Sequence, residues 1–177
     1  MRLFIALNFD EFNKDILGGI TRDLAGIFLH GRPLSKDNHH LTLAFIGEST
    51  EVSTLEHCID RAAGPAFEIS TSKLDSFRRN GGDILWLSLK PEEQLTALQT
   101  RLKAELTANG FVLDNRPFRP HITLMREAVW PDRFDFSNYA MQIPQICQMM
   151  RKISLMESAR VSGRLVYREI YTKALEP

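Results

Sequence analysis

The 177-residue chain carries 22 Lys plus Arg against 22 Asp plus Glu, for a formal net charge of zero, and is 44% hydrophobic and 25% charged. This is the composition of a soluble globular protein long enough for a substantial core, and it argues against a long electrostatic track for duplex DNA or a membrane surface. Two cysteines, Cys58 and Cys147, are too few for a disulfide framework, and no stretch reaches the roughly 18 apolar residues of a membrane span.

The opening "RLFIALNF" (2–9) is a short apolar run rich in strand formers and predicts a buried strand. It lacks a signal peptide's long apolar region, so reduced thiols and a cytoplasmic location are expected. Asp10 can cap a helix running to about residue 29, with Phe12, Ile16, Ile20, Leu24 and Ile27 at spacings of three or four. Gly18 and Gly19 weaken it by about 1 kcal/mol each relative to alanine, so packing must hold it. Residues 30–38 read as loop and 39–46 as a strand. Thr50 then caps a second helix with Val52, Leu55, Ile59 and Ala62 on one face, stopped by Gly64-Pro65.

Segments 66–77 and 84–89 flank "RRNGGD", a hairpin turn in which Asn-Gly-Gly tolerates positive φ. Pro91 opens a helix with Leu95, Leu98, Leu102 and Leu106 on one stripe, closed by Asn109-Gly110. A strand at 119–126 and an ordered loop over 127–145 follow. Two last strands, about 147–157 and 164–173, are separated by "SARVSG". Interspersed helices and hairpins in both halves predict an α+β fold rather than a doubly wound α/β fold.

One pattern occurs twice. "NHHLTLAF" contains His40-Leu41-Thr42-Leu43, and "RPHITLMR" contains His121-Ile122-Thr123-Leu124, 81 positions later, one in each half of the chain. On a strand His40 and Thr42 share one face, about 7 Å apart, and Leu41, Leu43 and Phe45 take the other. The same parity puts His121 with Thr123. If the two polar fronts meet across a cleft, four groups converge on one small ligand. Imidazoles, with an unperturbed pKa of about 6.5, suit proton transfer near neutrality, and threonine hydroxyls can donate to anionic oxygens. Arg116, Arg119 and Arg126 add charge for a phosphate, although strict alternation puts Arg126 off the His121 face. The arrangement fits in-line attack on a phosphodiester, a strained cyclic phosphate above all.

The other candidates read more plainly. His39 points away from His40 and is structural; His30 and His57 are surface residues. Adjacent residues face opposite ways, so His39, His40 and His121 do not make a zinc site, and no clustered carboxylate or thiol completes one. Arg78 and Arg79 precede the turn as solvated residues or as contacts for an RNA strand. Trp86 and the leucine stripe are core. Parity makes Phe45 core, with stacking on a base at the cleft edge as the alternative.

At "RLFIALNF", "NHHLTLAFIGE" and "RPFRPHITLMR" the sequence resembles the two-histidine (2H) phosphoesterase superfamily, in its branch of bacterial RNA 2′,3′-cyclic phosphodiesterases, also called RNA 2′,5′-ligases. The resemblance implies a bilobal, pseudo-symmetric α+β duplication over residues 1–177, a single domain with two antiparallel sheets flanking a central cleft and helices outside. It implies hydrolysis of RNA 2′,3′-cyclic phosphate ends to 2′-phosphates without metal or cofactor, with reversible 2′-5′ ligation. His40 becomes the proton donor to the departing 3′ oxygen, His121 the acceptor from water, and Thr42, Thr123 and Arg126 the phosphate ligands. RNA ends, tRNA fragments or small cyclic nucleotides are the expected partners of a monomer. The alternative is an RNA-end or cyclic-nucleotide binding module without efficient catalysis. His39 stands where the branch often has an apolar or aromatic residue.

Overall fold

Alternation along the first strand explains why its apolar run is buried on both faces. In a computed structural model describing residues 1–177, β1 (Arg2–Asn8) turns Leu3, Ile5 and Leu7 to a helix-covered core, while Phe4 and Ala6 enter a smaller cluster with Met156. Asp10 caps α1 (Glu11–Ile27), its carboxylate accepting from the Asn13 amide at 2.8 Å. Leu17, Ile20 and Leu24 of α1 are buried, whereas Phe12 and Ile27, at the ends of the predicted stripe, lie exposed.

Residues 30–38 are not simply loop. They hold β2 (His30–Pro33) and a 3-10 turn, Lys36–Asn38. The first motif strand is β3 (His40–Glu48), and α2 (Val52–Ala62) follows it. Glu51 rather than Thr50 occupies the cap position of α2, without a side-chain cap bond. β4 (Phe67–Phe77) and β5 (Asp83–Leu89) form the predicted hairpin, with Gly81 and Gly82 at φ 86° and 116°. Both values lie where a side chain is strained.

α3 (Glu93–Ala108) starts after Glu92, whose carboxylate accepts from the Gln94 amide, rather than at Pro91; its four stripe leucines are buried. The second motif strand, β6 (His121–Val129), starts later and runs further than the predicted 119–126. The rest of the predicted 127–145 loop contains α4 (Phe136–Gln142), capped by Asp135. The predicted strand over 147–157 divides at Arg151 into β7 (Cys147–Met150) and β8 (Lys152–Val161), and β9 (Arg164–Ala174) closes the chain. The division has a cause: β7 pairs with β4 and β8 with β1, at opposite ends of the sheet.

The strand order is β7-β4-β5-β6-β3-β1-β8-β9, with β2 added to β6, and all of these strand pairs are antiparallel. The two expected sheets, β7-β4-β5-β6 and β3-β1-β8-β9, are therefore stitched into one at the pair Leu41–Ile122. The fold is α+β, as the sequence predicts. Residues of α1, α2 and α3 join the inward face of the sheet in one cluster of 34 buried residues. The free face carries His40, Thr42, His121 and Thr123.

The two halves repeat one register. Ala6 and Asn8 of β1 lie opposite Thr42 and His40 of β3; Trp86 and Ser88 of β5 lie opposite Thr123 and His121 of β6. Equivalent residues are 80 apart in β1 and β5 (6 against 86) and 81 apart in β3 and β6 (40 against 121).

Candidate active site

Each motif strand carries a bulge at the same place, and the bulges decide what lines the cleft. Ile5 pairs with Ala44 and Ala6 with Thr42, which leaves Leu43 over; Leu85 pairs with Met125 and Trp86 with Thr123, which leaves Leu124 over. An extra residue reverses the alternation beyond it. Leu43 and Ala44, like Leu124 and Met125, are consequently buried side by side, and Phe45 and Arg126 are exposed on the histidine face. Strict alternation places both on the opposite face, and the bulges overturn it. Phe45 is 49% exposed, so it is no core residue.

The main chain sets the tautomer of both rings. His40 Nδ1 lies 2.7 Å from the Asn38 carbonyl, and His121 Nδ1 lies 2.6 Å from the Arg119 carbonyl, each two residues back. A carbonyl can only accept, so Nδ1 carries the proton and Nε2 presents a lone pair when the ring is neutral. For His40 that lone pair accepts from the Thr42 hydroxyl at 2.9 Å. Neither His121 Nε2 nor the Thr123 hydroxyl has a protein partner.

Aromatic side chains brace each imidazole. The Phe4 and Tyr167 rings lie 4.8 and 5.1 Å from His40; the Phe77 and Trp86 rings lie 5.1 and 5.7 Å from His121, with Phe77 stacked on Trp86 at 4.6 Å. Trp86 is buried as expected, but its ring is a wall of the site. Its indole N–H has no hydrogen-bond partner. Sequence reasoning does not single out Phe4, Phe77 or Tyr167. The only sequence signal for Phe4 is its even position in β1, on the parity that faces His40.

Burial in these aromatic sleeves lowers the proton affinity of both rings. Desolvation is the main reason that His40 is held down to about 4, against the support of the Asn38 carbonyl, with smaller contributions from His39, Arg126 and His121. Desolvation likewise pushes His121 below its ordinary value, and Arg126 adds to the effect. The charge of Arg126 is thus felt by both imidazoles. Arg126 has no ion-pair partner and is free to meet an anion. Arg116 is committed to Asp114, while Arg119 is exposed and contributes its carbonyl to His121.

The approach to His40 is pinned from both sides. Asn38, 7% exposed, donates from Nδ2 to the Leu165 carbonyl at 3.0 Å and accepts from the Tyr167 amide at 3.3 Å. One residue therefore fixes the carbonyl that orients His40 and the strand that carries Tyr167. His39 faces the other way, buried, with Nδ1 donating to the Lys36 carbonyl at 3.1 Å and Nε2 accepting from Thr21 at 3.0 Å. His30 and His57 are exposed.

A family model described as the 2′-5′ RNA ligase superfamily matches residues 27–161. An RNA 2′,3′-cyclic phosphodiesterase of Thermotoga maritima is 28% identical over 97% of this chain and 94% of its own length. The protein of the same name from Escherichia coli is 36% identical over 55% of this chain and 56% of its own length. The crystal structure of E. coli LigT complexed with 3′-AMP superposes with a TM-score of 0.81 at 28% identity, covering 98% of this chain and 97% of that one.

Proposed function

The chain belongs to the 2′-5′ RNA ligase superfamily, and from that premise we propose that it hydrolyses RNA 2′,3′-cyclic phosphate ends to 2′-phosphates, running in reverse as a 2′-5′ RNA ligase. The observation that carries this reading is the matched pair of imidazoles. Each is held through Nδ1 by a backbone carbonyl, each presents Nε2, and the two stand on strands joined at Leu41–Ile122 with one unpaired guanidinium acting on both.

In this mechanism the cyclic phosphate sits between the rings, held by Arg126 and the hydroxyls of Thr42 and Thr123. His121 Nε2 takes a proton from the attacking water, and His40 Nε2 gives one to the departing 3′ oxygen. Positioned transfers of this kind contribute typically about 10² to 10⁴ in rate. Both rings bind protons weakly in the free protein, so the bound phosphodiester anion must raise the affinity of the donor ring, as a nearby opposite charge does. Arg126 and the hydroxyls supply the electrostatic role without a metal, and no three His, Cys, Asp or Glu side chains converge on a metal site. The whole chain acts as one unit, each half supplying one motif. Phe45, exposed and stacked on Phe4 at 6.4 Å, offers its outer face to a base.

Incubation with a 2′,3′-cyclic mononucleotide in the presence of a chelator, with separation of 2′- from 3′-phosphate products, tests this. A 2′-phosphate product that survives chelation supports the reading. Tight binding without product identifies a binding module instead, and chelator-sensitive turnover a metal enzyme.

A further inference from the structure

The two ends of the cleft differ in charge. Beyond His40 lies a groove of about 800 Å³ whose walls include Asn8, Tyr167 and four carboxylates, Asp10, Glu11, Asp37 and Glu169. Two of its three cations are already spent, Lys14 on Glu11 and Lys152 on Glu169, which leaves Arg151 alone against Asp10 and Asp37. A polyanion gains little from this surface.

Beyond His121 the balance reverses. Arg32 of β2 lies directly opposite Arg126 of β6, and directly opposed residues of an antiparallel pair share a face. Two like charges in that relation cost stability. Glu127 relieves the cost in part, its carboxylate meeting Arg32 at 2.5 Å from a backbone at φ 53°, but nothing pairs with Arg126. Arg78 and Arg79 leave β4 directly after Phe77, whose ring packs on His121. The turn they enter is seated on the same corner, since a Cβ at Gly82 would come within 2.6–2.9 Å of the Glu127 backbone. Both arginines are exposed and neither guanidinium makes an ion pair or a hydrogen bond, although the Arg79 amide donates to the Asp83 carboxylate at 2.9 Å. Four arginines thus gather at this end of the cleft against the carboxylates of Asp75, which lies opposite Trp86, Asp83 and Glu127, in a chain whose overall charge is zero.

We propose that this rim is a second phosphate subsite: Arg32, Arg78 and Arg79 take the phosphodiester next to the reacting one, and an RNA end leaves the cleft past His121 rather than across the carboxylate-lined groove past His40. The proposal rests on the phosphodiesterase reading and adds to it a direction for the strand and a preference for oligonucleotide over mononucleotide ends. Glu127 competes with the incoming phosphate for Arg32, which keeps the rim folded and charge-balanced between substrates.

The test compares kcat/KM for a 2′,3′-cyclic mononucleotide and for a pentanucleotide with a 2′,3′-cyclic phosphate end, in wild type, Arg32→Ala, Arg78→Ala/Arg79→Ala and the groove variant Arg151→Ala, across a salt series. The expected result is an oligonucleotide-to-mononucleotide ratio about tenfold lower in the two rim variants, as for loss of a charge-assisted hydrogen bond to phosphate. The salt dependence on the pentanucleotide should also become shallower by about 0.7 for each phosphate that the rim no longer neutralises. An unchanged ratio in the rim variants, or a fall confined to Arg151→Ala, overturns the proposal. If the wild type hydrolyses neither substrate, the activity reading fails by itself. The affinities of a fluorescent 2′-phosphate pentanucleotide and of 2′-phosphate mononucleotide then decide the rim: selective weakening toward the longer ligand in the rim variants supports it, and no selective weakening overturns it.

Discussion

Phe45 and Arg126 occupy the same place in the two motif strands, each brought onto the histidine face by a bulge two residues earlier. One half of a repeated frame thus offers an aromatic face and the other a guanidinium. The two substitutions should therefore fail differently. Arg126→Ala is expected to lower kcat about 10²- to 10³-fold, as loss of a donor to developing charge does, and Arg126→Lys to recover only part of it. Phe45→Ala should instead raise KM, by the equivalent of about 1–3 kcal/mol of base stacking, with kcat little changed. Steady-state kinetics on a cyclic mononucleotide distinguishes them; equal losses in the same parameter would show that the positions do not divide the work.

The pH dependence should separate free from bound protein. His40 is held down to about 4 and His121 below its ordinary value, chiefly by burial. The profile of kcat/KM reports the free protein and that of kcat the complex. A bound anion raises histidine proton affinity, so the basic limb of kcat should lie at higher pH than the basic limb of kcat/KM. Coincident limbs would remove the role given to the phosphate.

Stability follows the same shift with a definite sign. An unfolded histidine titrates near 6.5, so between about 6.5 and about 4 the unfolded chain binds more protons than the folded one at His40. Stability therefore falls as pH falls through that window, and the buried His39, also lowered by burial, acts in the same direction. The urea midpoint should drop between pH 7 and pH 5, and by less in His40→Asn; an equal drop in that variant would place the effect elsewhere.

Asn38 joins the carbonyl that orients His40 to the strand that carries Tyr167. Asn38→Ala should cost about 1–3 kcal/mol from its buried amide bonds and lower kcat more than it changes KM, because the His40 ring loses its alignment. Asn38→Asp keeps the acceptor for the Tyr167 amide and loses the donor to Leu165, so it should fall between. Wild-type kcat in Asn38→Ala, measured alongside urea unfolding, would show that alignment does not depend on this link.

Gly82→Ala should be the more damaging of two neighbouring changes. It combines φ 116° with a Cβ 2.6 Å from the Glu127 backbone, whereas Gly81 at φ 86° has open space around it. We expect about 1–3 kcal/mol of destabilisation at Gly82 and a lower kcat/KM through displacement of the segment that carries Arg126, with a smaller effect for Gly81→Ala. Equal unfolding midpoints would refute the crowding argument.

Much of this is legible in the sequence because it depends on local periodicity. Alternation separates Leu41 and Leu43 from His40 and Thr42, and a three-four spacing marks Leu95, Leu98, Leu102 and Leu106. The misses share a physical cause, which is that they depend on a partner strand. A bulge is visible only once β3 is laid against β1, so alternation alone puts Phe45 and Arg126 on the wrong face. β2 is a four-residue strand that exists because β6 has an edge to extend, and the strand predicted over 147–157 breaks at Arg151 because β7 pairs with β4 and β8 with β1. Phe4, Phe77 and Tyr167 reach the histidines from three strands far apart in the chain, and no spacing rule gathers them.

The lone Leu41–Ile122 stitch has a consequence for how such a protein can diversify. Main-chain pairing at one point joins the strands that carry His40 and His121, whereas Phe45, Tyr167 and Arg32 stand apart from that pair. Exchanging those outlying residues should re-tailor which molecules enter while leaving the joined strands unaltered, so preference can drift through evolution without the two-histidine frame being rebuilt.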